Sequence, residues 1–310
     1  MRLLITGGAG MLGRRATRQW RATGGEVAVL DDLSSGLPMP EEATLSVNGD
    51  IRDADTLTAL LNDFNPAAIL HLAAVHHIPT CEIRRAHCLD VNVVGTERLL
   101  AAAEHAGIGR VVIASSGAVY AWQESPLSEL DSPLAPCDNY ALSKYSNEQQ
   151  LKFWSSRGDG VRSGRVARIF NAIGHDDPNG HLIPEILAQL RGATDGKVRL
   201  GNLSPRRDYL HADDIARGLI AMVNDPRRDV PFDTLNLCSG IEHSVQQLVL
   251  QLGQILGQRV EVEVDPARVR RVDRPSQLGN PARTRAILGW QPQLGFEEAL
   301  RQVVFPDHAQ

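Results

Sequence analysis

The chain has no surplus of positive charge: 32 lysines and arginines stand against 37 aspartates and glutamates in 310 residues, for a net charge of −5. With no basic footprint, neither nucleic acid nor an anionic membrane surface is expected as a partner. Cysteine is scarce, and Cys81, Cys88, Cys137 and Cys238 lie without CxxC spacing. They spell neither a zinc site nor a disulfide framework, and read as free thiols of a reducing compartment. Runs of about 18 apolar residues, the length a membrane span needs, are missing. Strand-like Leu3-Leu4-Ile5-Thr6 follows Met1 too closely for a signal peptide to precede it, so a soluble, cytoplasmic protein is expected. Internal repeats and low-complexity segments are also lacking.

What is present is an ordinary globular composition, 43% hydrophobic and 22% charged, enough for one large domain or two smaller ones. Short β-rich runs alternate with amphipathic, helix-length stretches. Strands are expected near Leu3–Thr6, Val27–Leu30, Leu45–Val47, Ala68–His71, Val111–Ala114 and Val166–Phe170. Helices are expected near Met11–Thr23, Ala54–Asp63, His87–His105 and Tyr140–Ser156. This rhythm predicts an α/β fold, a Rossmann-type doubly wound parallel sheet that binds its ligand at the carboxyl ends of the strands. After Phe170 the connections lengthen and fill with Gly and Pro, as in His175–Gly180 and Asn202–Pro205. A smaller α/β domain over residues 173–310 is therefore expected beside a first domain over 1–172, with an interdigitated boundary. The end, residues 306–310, is expected to fray.

Directly after the first strand comes Gly7-Gly8-Ala9-Gly10-Met11-Leu12-Gly13, opening into a helix. Gly7 suits a tight turn, Gly10 the approach of backbone to a pyrophosphate, and Gly13 close packing of helix on strand. The helix N-terminus, at Met11 and Leu12, then turns its free N–H groups toward the phosphates. About 20 residues on, the second strand ends in Asp31-Asp32, where a carboxylate accepts from adenosine ribose hydroxyls and repels a 2′-phosphate. NAD is thus favoured over NADP. Arg14 and Arg15 could favour the phosphate, but read better as a solvated helix face shared with Arg18 and Arg21. Asp50-Ile51 after the third strand places a carboxylate for the adenine amino group and an apolar side chain for its ring. Leu72-Ala73-Ala74 leaves room for backbone to approach the cofactor's sugars.

Tyr140-Ala141-Leu142-Ser143-Lys144 sets a phenol and an ammonium on one helix face. A neighbouring cation favours the phenolate and makes the tyrosine a usable base. Ser115-Ser116, at the end of the fifth strand, offers hydroxyls to the same substrate oxygen.

These elements together resemble the extended short-chain dehydrogenase/reductase family, the NAD-dependent sugar-nucleotide epimerases and dehydratases. The likeness runs over nearly the whole chain and adds Asn92, Phe170-Asn171 and Arg207-Asp208-Tyr209. It implies Tyr140 as base, Lys144 as its tuner and ribose ligand, Ser116 as the group polarising the reacting hydroxyl, and Asn92 among the cofactor residues. It further implies a nucleotide-sugar clamp of Asn171, His181, Leu182, Arg207 and Arg274 in the second domain, arginine suiting diphosphate through its bidentate fork. Dehydratases of the family carry an acid pair after the catalytic hydroxyl, where this chain has Gly117-Ala118. The resemblance therefore implies a C4 epimerase acting through a transient 4-keto sugar, with a UDP-hexose as the default substrate. An NAD(P)H-dependent 4-ketoreductase is the alternative, and a non-catalytic NAD-binding module a more distant one.

The pattern breaks at Val75-His76-His77-Ile78. His77 can hydrogen-bond a substrate hydroxyl near neutral pH or be a packed loop histidine. The pair is not read as a metal site, since adjacent side chains seldom converge on one ion, and no metal is expected. Met11 stands where an aromatic is usual, and His175 where proline is common. A homodimer is implied by the resemblance, through helices carrying Val91, Val94, Leu151 and Trp154, residues a monomer's core equally needs.

Overall fold

The computed structural model describes residues 1–157, 160–177, 179–192, 197–269 and 274–306. Pro178, and with it part of the His175–Gly180 connection, lies outside the described residues, as does the expected frayed end beyond Pro306.

The first half lays down β1 (Arg2–Thr6), α1 (Met11–Ala22), β2 (Glu26–Asp31), β3 (Leu45–Asn48), α2 (Ala54–Phe64), β4 (Ala68–His71), α3 (Ile78–Ile83), α4 (Arg85–Leu89), α5 (Gly95–His105), β5 (Arg110–Ser116), α6 (Asn139–Ser156) and β6 (Ser163–Ile169). With β10 (Phe232–Leu237) these strands form a seven-stranded parallel sheet in the order β3-β2-β1-β4-β5-β6-β10. The strand order reverses between β1 and β4, the switch point at which such sheets open a ligand crevice. Alternation along the strands supplies both faces. Leu3 and Ile5 of β1 join a core with Ala16 and Trp20 of α1 and with Ile215 and Leu219 of α8 (Ala212–Val223), whereas Leu4 joins Leu57, Leu99 and Leu151 on the other face.

Helix ends follow local chemistry. Asp53 caps α2 by accepting from Asp55 and Thr56 N–H groups, and Asp138 caps α6 by accepting from Ala141 N–H at 2.7 Å. The stretch expected as one helix over His87–His105 is two helices joined by a wide π turn over Asp90–Val94, a device frequent at functional sites. The short helix α3 was beyond reach of periodicity at six residues.

The second layer comprises β7 (Asn171–Ile173), α7 (Leu182–Gly192), β8 (Lys197–Leu200), β9 (Arg206–His211), β11 (Glu242–Ser244), α9 (Val245–Leu256), β12 (Glu261–Val264), β13 (Ser276–Gln277) and α11 (Phe296–Val304). Strand β9 pairs with β7 and β13 in parallel and with β11 antiparallel, while β8 pairs with β12. Ile186, Leu200, Leu248 and Leu300 gather in its own core. Between these elements the chain returns to the first layer as α8, β10 and α10 (Ala282–Leu288).

Candidate active site

At the switch point the backbone of β1 turns through Gly7 at φ +70, and a Cβ there would lie 2.6 Å from Ala73 N. Only glycine combines that left-handed turn with such a close approach of the two strand ends. A Cβ on Gly13 would sit 2.3 Å from Gly7 O, so α1 rests directly on the loop. Helix α1 begins at Gly10 without a side-chain cap and without an acid in its first turn, leaving the N–H groups around Met11 and Leu12 directed at the crevice.

The carboxylate of Asp31 accepts from Ala9 N–H at 2.9 Å and from Leu33 N–H at 2.8 Å. It therefore fixes the glycine loop, and burial raises its pKa above the ordinary carboxylate value despite these donors. Asp32 is exposed and accepts from Ser34. Asp50 is engaged by Arg52 in an ion pair at 2.5 Å, and that hydrogen bond holds its carboxyl below the usual range. The side chain of Ile51 lies largely in the core, with Cγ2 2.7 Å from where a Cβ on Gly95 would be. Arg15 differs from expectation. It is buried, donating to Asp176 Oδ1 at 2.6 Å and to Met11 O at 2.9 Å, and so pins α1 to the loop before α7. Arg14 donates to Pro38 O at 2.6 Å.

Ser116 lies beside Tyr140, close enough for its hydroxyl to favour the phenolate, and its Oγ accepts from Ala118 N–H at 3.1 Å. One turn along α6, the Lys144 ammonium lies 5.9 Å from the Tyr140 ring centroid and donates to Ala114 O at 2.9 Å. The expected lowering of the tyrosine is reversed: burial pushes Tyr140 up to about 12, and burial pushes Lys144 down to about 8. Desolvation of the buried phenol outweighs the contribution of Ser116, which favours the phenolate.

Ser115 is corrected by strand alternation. Its hydroxyl donates to the buried Glu148 Oε1 at 2.6 Å, and Arg168 grips the same carboxylate at 2.9 and 2.7 Å. That serine belongs to a buried network beneath the site and leaves Ser116 alone facing Tyr140. Asn92, expected at the cofactor, is likewise committed: its Oδ1 accepts from Val75 N–H at 2.8 Å, and its Nδ2 donates to Val75 O and Ser143 Oγ, each at 2.9 Å. It clamps the strand-end loop of Leu72, Ala73 and Ala74 onto α6. The thiols of Cys81 and Cys88 lie buried nearby, and burial pushes Cys81 up.

Underneath, His71 is held between Thr6 Oγ1 at 2.6 Å and Thr96 Oγ1 at 2.9 Å. Burial, with the charge of Lys144 second, pushes it down to about 3 from 6.5. A base with a depressed folded value contributes stability above its unfolded value that is lost as pH falls. The urea midpoint should therefore drop on going from pH 7 to pH 5, with a slope approaching about 1.4 kcal/mol per pH unit below the unfolded value. His71→Asn should flatten that part of the profile, and a midpoint independent of pH would refute the assignment.

The second layer closes the crevice. Arg207 Nη1 donates to Arg274 O at 2.8 Å, and Arg274 Nη2 reaches Ala118 O at 3.1 Å, beside Ser116. Asn171 donates to Asp208 O at 3.3 Å, while Leu182 is half-buried against the second core. His181 pairs with Asp177 at 2.6 Å, and His77 Nδ1 lies 2.9 Å from Thr80 Oγ1. Asp208 and Phe170, noted in the sequence only as part of the resemblance, and Gln277, unread there, complete the floor and wall of the site. Asp208 is buried and gathers the N–H groups of Ser239, Gly240 and Gly279, its pKa raised by burial to about 6. Phe170 and Gln277 pack over Gly117, at 3.2 and 3.1 Å from where a Cβ would be. The Arg-Asp-Tyr run pointed to Asp208, while nothing local marked Gln277.

Residues 3–238 match the NAD dependent epimerase/dehydratase family. The chain belongs to that family. NAD is the cofactor of the NAD dependent epimerase/dehydratase family, and the residues here fit it: a loop whose Cβ positions are filled by backbone, and an uncapped helix end facing it. Among relatives, a UDP-glucose 4-epimerase of Mycolicibacterium smegmatis is 34% identical over 98% of this chain and 97% of that protein. The UDP-glucose 4-epimerase of Thermotoga maritima, solved with UDP-glucose, superposes with a TM-score of 0.89 at 26% identity, covering 98% of this chain and 97% of that one. A UDP-glucose-4-epimerase from Stenotrophomonas maltophila, with bound NAD and formylated UDP-arabinopyranose, gives 0.89 at 26% identity, covering 98% and 96%. The chain is thus an epimerase/dehydratase family member of the extended short-chain dehydrogenase/reductase type, with relatives aligned over 98% of its length.

Proposed function

We propose that the protein is an NAD-dependent epimerase of a nucleotide-diphosphate sugar, acting at C4, with a UDP-hexose as substrate. The observation that carries this reading is the pairing of Ser116 with Tyr140 above Lys144, with no acid following the serine. Gly117 and Ala118 stand where dehydratase acids would be, and Phe170 and Gln277 occupy the space a side chain on Gly117 would need. Proton transfer at a hydroxyl is supported, and loss of a neighbouring hydroxyl is not.

In this scheme Tyr140 takes the proton of the C4 hydroxyl while Ser116 hydrogen-bonds the same oxygen. Loss of hydride from C4 leaves a 4-keto sugar, which turns within the pocket. Hydride returned to its other face, with the proton given back by Tyr140, yields the epimer. NAD, when bound, supplies the hydride acceptor and donor. Lys144 supplies the positive charge that a phenolate needs, while Arg207 and Arg274 hold the diphosphate near Ala118. Because Lys144 is pushed down to about 8, its charge is lost as pH rises through that value. Activity should fall on an alkaline limb near there, and Lys144→Arg should move that limb upward; a limb unmoved by the substitution would separate it from Lys144.

A homodimer is part of the proposal. Leu151 and Trp154 are core residues of the monomer, but Val94 of the π turn and Leu142 and Phe153 of α6 are exposed large apolar side chains, a face suited to a second copy. Among the described residues no helix is long and apolar enough to cross a membrane.

The test is equilibration of UDP-glucose with its C4 epimer by purified protein supplied with NAD and no reductant. Approach to one mixture from both sides is expected. Turnover only with net consumption of NADH or NADPH would instead establish a ketoreductase.

A further inference from the structure

We infer that His76, Asp177 and His181 form a binding site for a divalent transition-metal cation of the zinc class. The three residues come from the loop after β4 and the loop leading into α7, and their ligand atoms all lie within 4.8 Å of one another. Adjacency of His76 and His77 argued against a metal in the sequence, since neighbouring side chains diverge. The fold answers differently by giving His76 two partners from about a hundred residues away, while His77 turns to Thr80.

Each donor is prepared for ligation. Asn179 Nδ2 lies 2.9 Å from His76 Nε2, and an amide nitrogen only donates, so that ring nitrogen is unprotonated and its lone pair accepts from an amide that a metal ion would displace. His181 Nδ1 meets Asp177 Oδ2 at 2.6 Å, which holds imidazole and carboxylate side by side. The rings of His76 and His77 stand 5.7 and 5.6 Å from that of His181.

Two imidazoles and a carboxylate, completed by water, make the donor set of an open zinc site. Nitrogen ligands select zinc or cobalt over magnesium. The ligand atoms would draw together to about 3.4 Å, the spacing across a tetrahedral ion with bonds near 2.0–2.1 Å, and His76 is exposed on a loop that can make that move. A bound ion would tie the wall carrying Ala74 to the segment opening α7, and so fix the width of the crevice near Lys144.

The experiment uses the full chain, treated with chelator and dialysed against zinc in excess magnesium, with cobalt as a spectroscopic probe. One equivalent of zinc per chain is expected, with intense visible cobalt bands of low coordination number. His76→Ala and His181→Ala should each weaken binding at least about tenfold, as even outer contacts of such sites do. His105→Ala, on the exposed end of α5, should bind as the unaltered chain does. Should His181→Ala fail to fold by circular dichroism, His76→Ala alone gives the same reading. Absence of stoichiometric zinc, or equal retention by His76→Ala, would overturn the site.

Discussion

Tyr140→Phe is expected to lower the rate constant of C4 epimerisation by about 10²- to 10⁴-fold, the range in which a positioned acid–base group contributes. The aromatic ring remains, and only the hydroxyl beside Ser116 is lost. The loss should therefore fall on kcat, with nucleotide-sugar binding largely retained. Ser116→Ala should give a smaller fall in the same parameter, because it removes a hydrogen bond and leaves the base in place. The check is steady-state kinetics together with the dissociation constant for UDP. A variant that turns over normally would displace Tyr140 from the reaction.

The second large effect concerns the floor of the site. Glu148→Ala should destabilise the fold by about 3–5 kcal/mol, since it leaves the buried Arg168 guanidinium without its counter-charge. Arg168 donates twice to that carboxylate and lies with its guanidinium 4.6 Å from the Tyr120 ring centroid, so it has no route to solvent. Replacing both partners, Glu148→Leu with Arg168→Met, should recover much of the loss, because the desolvation of two charges is removed along with their attraction. Ser115→Ala should share in the loss of stability to the extent of about 1 kcal/mol, as expected for one buried hydrogen bond. Urea unfolding of these three variants, together with Glu148→Leu and Arg168→Met made singly, settles the matter. An additive double variant would show that the pair does not act as a unit.

How much of this was legible beforehand depended on whether a feature is local. The glycine loop and the Tyr140/Lys144 spacing are set by a few consecutive residues, and the first six strands lie within a few residues of their expected places. What could not be read was the direction in which polar side chains spend their hydrogen bonds. Ser115 and Ser116 are neighbours in sequence, but alternation sends the first to Glu148 and the second to Tyr140. Asn92 has an amide whose partners, Val75 and Ser143, are supplied by other elements. Arg15, taken for a solvated cation, is buried by Asp176 from across the chain. Lys144 was expected to act on the phenol, and the balance turned on burial, a tertiary quantity. The grouping of His76 with Asp177 and His181 belongs to the same class, since it exists only after the loop following β4 and the loop leading into α7 come together.

The central claim is that hydride leaves C4 and returns to the same carbon within one turnover. Its most direct measurement is product analysis after incubation of the NAD-supplied protein with UDP-glucose carrying deuterium at C4. Deuterium retained at C4 of both epimers, with no net change in reduced cofactor, is the expected result. Loss of the label to solvent, or its appearance in released NADH, would contradict it.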